Sequence, residues 1–155
     1  MTRIIYKPGF IKLSNYLNSQ YAIEVVLRPF EDDAYYPKLQ KIYINSNNQW
    51  KDRLITLIHE AGHVLREFES DEEKKLRPSL VHYTSNVKSK RQLVCLLDEE
   101  ICAWNKGKKL AVKLKIRFDE RRLDIVSTEC IMSYIKTSLQ KVYGSTINID
   151  CIDAK

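Results

Sequence analysis

Residues 54–68 read Leu54-Ile55-Thr56-Leu57-Ile58-His59-Glu60-Ala61-Gly62-His63-Val64-Leu65-Arg66-Glu67-Phe68. Leu54, Leu57, Ile58, Ala61, Val64, Leu65 and Phe68 recur at three- and four-residue steps, which predicts a helix from Trp50 to about Phe68. Within it His59 and His63 stand one turn apart and project in the same direction, so two imidazoles can grip one zinc ion. Glu60 adjoins them, where a carboxylate can take a proton from water on the metal and pass it to a leaving amine. On average residue usage, a His-Glu-x-x-His string arises by chance in on the order of one chain in a few hundred. The helical setting makes a chance match rarer.

A helical wheel at about 100° per residue tests the plainer readings. The stripe of Leu54, Leu57, Ile58, Ala61, Leu65 and Phe68 has a common centre, and the two histidines point roughly 180° from it. They are therefore not core histidines packed among aliphatic side chains. A pair of exposed histidines that align by chance is the other plain reading. Gly62 argues against it, because glycine inside a helix costs about 1 kcal/mol relative to alanine. A residue with that cost lets something approach the backbone closely.

Two histidines leave the site one protein ligand short. His82 is the only other histidine, and it lies in a polar stretch that fixes nothing about its orientation. A second long helix, predicted from Gln92 to about Leu114, carries Asp98, Glu99 and Glu100. Its stripe runs through Leu93, Leu97, Trp104, Gly107 and Ala111. Glu100 falls within that stripe, Glu99 about 100° off it and Asp98 on the far side. An ionised carboxylate on a packing face is costly unless a cation meets it, and a metal on the neighbouring helix would be that cation. Glu100 is the expected third ligand; a buried ion pair with Arg or Lys is the alternative.

The rest of the chain frames these two helices. Its 155 residues, 44% hydrophobic and 30% charged, suit one globular domain spanning 1–155 that closes its own core. Lys7-Pro8-Gly9 marks a turn, and Phe10 to Leu17 a short helix ending near Asn18-Ser19. Ala22 to Leu27 reads as a β-branched strand, and Leu39 to Ile44 alternates as a second strand, antiparallel to the first. The polar segment 69–91 holds Pro78 and a short strand around Leu80 to Thr84, and suits a flap or crossover. A third long helix runs from about Asp119 to Tyr143, and the tail around 146–152 could add an edge strand or simply pack loosely. The expected fold is α+β, a small antiparallel sheet with three main helices.

The N-terminus lacks the apolar run of a signal peptide, and no window approaches a membrane span. Cys95, Cys102, Cys130 and Cys151 form no C-x-x-C pair and no zinc-ribbon spacing, which fits reduced thiols in the cytoplasm. The net charge of +6 owes much to Lys106, Lys108, Lys109, Lys113, Lys115, Arg117, Arg121 and Arg122. No aromatic-rich or helix-turn-helix pattern accompanies them, so solvated helix faces are expected rather than a nucleic-acid surface.

His59-Glu60-Ala61-Gly62-His63, followed by a helical Glu100-Ile101-Cys102-Ala103, resembles the gluzincin pattern of ImmA/IrrE-like metallopeptidases. Lys41-Ile42-Tyr43-Ile44-Asn45-Ser46 is similar to the strand that leads into the metal-binding helix there. The resemblance covers roughly residues 20 to 111. It implies a zincin-like fold with the motif on the central helix, zinc as cofactor, and hydrolysis of peptide bonds. It further implies a protein or peptide substrate, with transcriptional repressors of phages and other mobile elements among the candidates. The sequence departs from the pattern at Trp104, where a small polar residue is common, and in the length between His63 and Glu100. Tyr35, Tyr36 and His82 are candidate donors to a developing oxyanion. Two rivals stand beside this reading: a catalytically silent zincin-fold binding protein, and a basic nucleic-acid-binding protein using Lys106 to Arg122.

Overall fold

The computed structural model describes residues 5–29, 32–75 and 89–143. In chain order these form α1 (Tyr6–Tyr21), β1 (Glu24–Arg28), β2 (Ala34–Tyr36), a 3₁₀ turn (Pro37–Leu39) and β3 (Lys41–Asn45). Then follow α2 (Trp50–Glu67), α3 (Asp71–Lys75), α4 (Lys90–Lys113) and α5 (Glu120–Tyr143). The class is mixed α+β. Expectations placed on Pro78, His82, the strand at 80–84, Cys151 and the tail lie outside the described residues. No helix among those residues is long and apolar enough to cross a membrane, and no disulfide joins Cys95, Cys102 or Cys130.

Two compact units divide the chain. The first comprises the described residues of Met1–Glu69 and Cys102–Asp124; the second, those of Ser70–Ile101 and Ile125–Lys155. Within the first unit α1 buries Phe10, Leu13 and Leu17 along one face. Lys7-Pro8-Gly9 is not a turn, as expected above, but part of the first turn of this helix. Proline is tolerated there because an N–H at that point has no acceptor four residues back. The helix ends at Ala22, whose left-handed backbone (φ 56°) lets its N–H reach Asn18 and Leu17 carbonyls.

The sheet has the order β1-β3-β2 and is mixed, which corrects the antiparallel expectation. β1 runs parallel to β3, with Val26 opposite Tyr43. β2 runs antiparallel to β3, with Tyr35 opposite Ile42. The physical reason is the short strand Ala34-Tyr35-Tyr36. It takes the tight reversal into β3 through Pro37–Leu39 and Gln40, a left-handed residue at φ 51°. β1 is then left the opposite edge and the longer connection that parallel pairing requires. As the central strand β3 is the most buried, with Ile42, Tyr43 and Ile44 all in the core.

A tight turn delivers β3 into α2. Asn45 accepts the Asn47 N–H on its side chain (2.9 Å) and donates its own N–H to Asp33 (2.5 Å). Arg53, one turn into α2, reaches back to the carbonyls of Asn48 (2.7 Å) and Ser46. Its guanidinium also lies 4.3 Å from the Trp50 ring centroid. Leu54, Ile55, Leu57, Ile58, Ala61 and Val64 are fully or almost fully buried. Phe68, assigned above to the apolar stripe, is half-exposed beyond the helix end, against Tyr21.

In the second unit, Ser70 and Glu73 cap α3 reciprocally. The Ser70 hydroxyl accepts the Glu73 N–H, and the Glu73 carboxylate accepts the Ser70 N–H. The N-terminal half of α4 belongs to this unit and buries Cys95, Glu99 and Glu100; most of α5 belongs to it too and buries Ser138.

Candidate metal centre

Two glycines set the relation of α2 to the C-terminal half of α4. A Cβ at Gly62 would stand 1.8 Å from the Ala103 carbonyl oxygen. A Cβ at Gly107 would stand 1.9 Å from the Ile58 carbonyl oxygen. Residues 58 and 62 thus meet 107 and 103, so the helices run antiparallel with their backbones touching. Any side chain at either glycine would wedge them apart. The backbone approach expected at Gly62 is therefore present, and α4 is what approaches. Gly107 entered the sequence reading only as one more residue of a stripe.

The same contact sets the candidate side chains of α2 against the C-terminal half of α4. His59 and His63 turn their Nε2 atoms toward each other, 3.2 Å apart, with the rings nearly perpendicular. α4 runs unbroken from Trp104 back through Glu100, so Glu100 lies one helical turn before Trp104. Among the described residues, His59, His63 and Glu100 form the group able to hold a metal ion. Each offers one ligand atom, and these atoms all lie within 4.8 Å of one another. Glu100 is 0% exposed and His59 8%, while His63 is half-buried.

The donor set can be tested against a metal. Four ligands at the usual Zn–N distance of about 2.0–2.1 Å are separated by about 3.3 Å along a tetrahedral edge. The two Nε2 atoms sit at that spacing. It equally allows one ring to donate an N–H to the other when no ion lies between them. Two imidazoles and one carboxylate make a neutral-plus-anionic set typical of a catalytic zinc site, which keeps its fourth position open. The residues present fit a divalent ion of that kind.

Glu60 is 6% exposed, and its Oε1 lies 3.9 Å from His59 Nε2. That places a carboxylate beside the ligand atoms and largely out of bulk water. The surface-histidine reading is excluded by burial. A single apolar stripe on the wheel, however, predicts a core on one side of α2 only. In fact His59, Glu60, Gly62 and Arg66 are buried as well as the aliphatic stripe, and α4 meets α2 at Gly62 and, through Trp104, at His59. Glu99 is buried too, at 8% exposure, though the wheel had set it off the packing stripe.

Trp104 is the residue whose part the sequence did not reveal. Its indole lies face to face with the His59 imidazole, centroids 4.1 Å apart and planes 23° from parallel. An aromatic on an apolar helical stripe reads as core filling, and only its position one turn after Glu100 hinted at more. Of the candidate oxyanion donors, Tyr35 gives its hydroxyl to Glu67 Oε2 at 2.5 Å. Burial, then that hydrogen bond, pushes its phenol well above the ordinary value. Tyr36 is 43% exposed and packs edge-on to Tyr43. Neither is held at the metal group by any observed contact.

No family model, no curated protein and no solved structure matches this chain. The likeness to ImmA/IrrE-like metallopeptidases accordingly rests on the short sequence resemblances alone.

Proposed function

We propose that this chain is a zinc-dependent peptidase that hydrolyses peptide bonds in a protein substrate, with His59, His63 and Glu100 as metal ligands and Glu60 as general base. The observation that carries the proposal is the pair of Nε2 atoms 3.2 Å apart, with the Glu100 carboxylate in reach and Glu60 beside them. Bound there, zinc supplies Lewis acidity, lowering the pKa of water and polarising a carbonyl oxygen. Glu60 accepts the proton of the attacking water and returns it to the amide nitrogen as the peptide bond breaks. A carboxylate suits that exchange because it can hold the proton between the two steps without being a ligand. Burial of Glu60 and Glu100 strengthens every charge interaction in the site relative to water. The motif's resemblance favours repressor proteins of mobile elements as substrates.

The test pairs metal analysis with one conservative variant. Purified protein should carry about one zinc per chain, and His59→Ala or Glu100→Ala should empty the site. Glu60→Gln should keep the zinc and lose at least the roughly 10²-fold that a general base contributes. Candidate repressors and a broad peptide library serve as substrates. Equal cleavage by wild type and Glu60→Gln would remove Glu60 from the mechanism. Zinc bound with cleavage by neither would leave a metal-holding binding protein in place of an enzyme.

A further inference from the structure

We infer that Trp104 is a positioning residue of the metal centre, its indole face fixing the ring plane of His59 and enforcing low coordination there. The inference rests on the metal site proposed above. An imidazole binds a metal along the lone pair of its nitrogen, which lies in the ring plane. Whatever fixes that plane therefore fixes where the ion sits. The usual device is an acceptor on the second ring nitrogen. Here a flat surface stacks on the ring itself, 4.1 Å away and 23° from parallel.

Three observations separate this from core filling. Trp104 lies between Ala103, which touches Gly62, and Gly107, which touches Ile58. With the backbones in contact, an indole at 104 has no room to stand upright between the helices and must lie along α2 beside His59. Its own N–H is buried with no hydrogen-bond partner among the described residues. Aromatic rings of this type usually find one when buried, so position, not polar satisfaction, sets this ring. Lastly, Trp104 is 6% exposed and covers one face of a ligand that is itself 8% exposed. That cover denies water a path to the ion from the His59 side. A site so walled favours four-coordinate zinc or cobalt over ions that demand six oxygen ligands.

The experiment uses the full chain loaded with cobalt(II), whose visible bands are intense when four-coordinate and pale when six-coordinate. Wild type should give the intense spectrum. Trp104→Phe, which keeps a flat face, should retain it and bind zinc nearly as tightly. Trp104→Leu, which keeps bulk but no plane, should bind zinc roughly 10- to 100-fold more weakly, as loss of an orienting partner does. Its cobalt spectrum should pale. A folded Trp104→Leu protein with wild-type affinity and spectrum would overturn the inference and leave the metal site standing. Failure of wild type to bind zinc or cobalt at all would overturn the metal site itself, and this inference with it. Should position 104 tolerate no change, Trp50→Phe leaves Trp104 as the only tryptophan. Stoichiometric cobalt should then quench its emission almost completely; undiminished emission with cobalt bound would refute the contact.

Discussion

Tyr35 shows how a single side chain is committed by its surroundings. Its hydroxyl donates to Glu67, one turn beyond His63 on α2, and so ties edge strand β2 to the C-terminal end of α2. The phenol's pKa rises from 10.0 through burial and that bond. A group that holds its proton more tightly when folded contributes stability below the unfolded pKa. The contribution fades as pH climbs through the folded value. Tyr35 should therefore stay protonated after most of the nine tyrosines have ionised. Ultraviolet titration of phenolate should show a late step that Tyr35→Phe abolishes. The same variant should cost roughly 1 kcal/mol, less than the roughly 1.5–3 kcal/mol of a hydrogen bond to a charged group because the pair is open to solvent. It should leave zinc occupancy unchanged; a loss of metal on Tyr35→Phe would move Tyr35 into the site.

At the scale of elements the two helix glycines make a prediction whose sign is unusual. On helix propensity alone, Gly62→Ala should stabilise α2 by about 1 kcal/mol. Packing says the reverse. The new methyl would meet the Ala103 carbonyl at 1.8 Å, and backbone cannot step aside as a flexible side chain can. α2 and α4 must separate, at a cost of about 1–3 kcal/mol or more for overpacking. The stacking of Trp104 on His59 would open with them. Denaturant melts should show Gly62→Ala and Gly107→Ala both destabilised, with zinc affinity reduced in each. Stabilisation of either would mean the helices do not touch there. These elements also mark what the sequence could reveal. α2, α4 and α5 were legible to within a residue or two because their apolar spacing persists over many turns. β2 was not, since three residues ahead of a proline offer no alternation to read. α1 begins earlier than expected because Pro8 and Gly9, strong turn signals elsewhere, are harmless in a first turn. Glu100 could be picked out because a carboxylate on a packing stripe demands a partner. The stacking of Trp104 could not, because periodicity gives a residue's direction and never its ring plane.

Across the whole molecule, charge and metal act on different scales. Part of the excess positive charge is met locally: Lys106 pairs with Glu69 at 2.9 Å, Lys108 with Asp124 at 3.2 Å and Arg122 with Asp52 at 3.3 Å. The last two pairs lie on partly exposed surface and add little stability each, but all three occupy basic residues that a nucleic-acid surface would need to present. The candidate metal group is the opposite case. His59, His63 and the fully buried Glu100 come from segments far apart in sequence, yet their candidate ligand atoms all lie within 4.8 Å of one another. An ion that binds only this folded arrangement stabilises the entire chain by mass action, by about 2.7 kcal/mol at a free concentration one hundred times its Kd. For a protein of this size that converts to a rise in Tm of roughly 5–10 °C. Wild type melted in chelator and then in rising zinc should climb by that amount, with a slope set by the logarithm of the zinc concentration. Glu100→Ala and His59→Ala should melt at one temperature throughout. Glu60→Gln should follow wild type, because the group able to hold the ion is His59, His63 and Glu100, without Glu60. A zinc-dependent melt that Glu100→Ala leaves intact would place the third ligand elsewhere. A melt indifferent to zinc in the wild type would leave two facing histidines with no ion to hold.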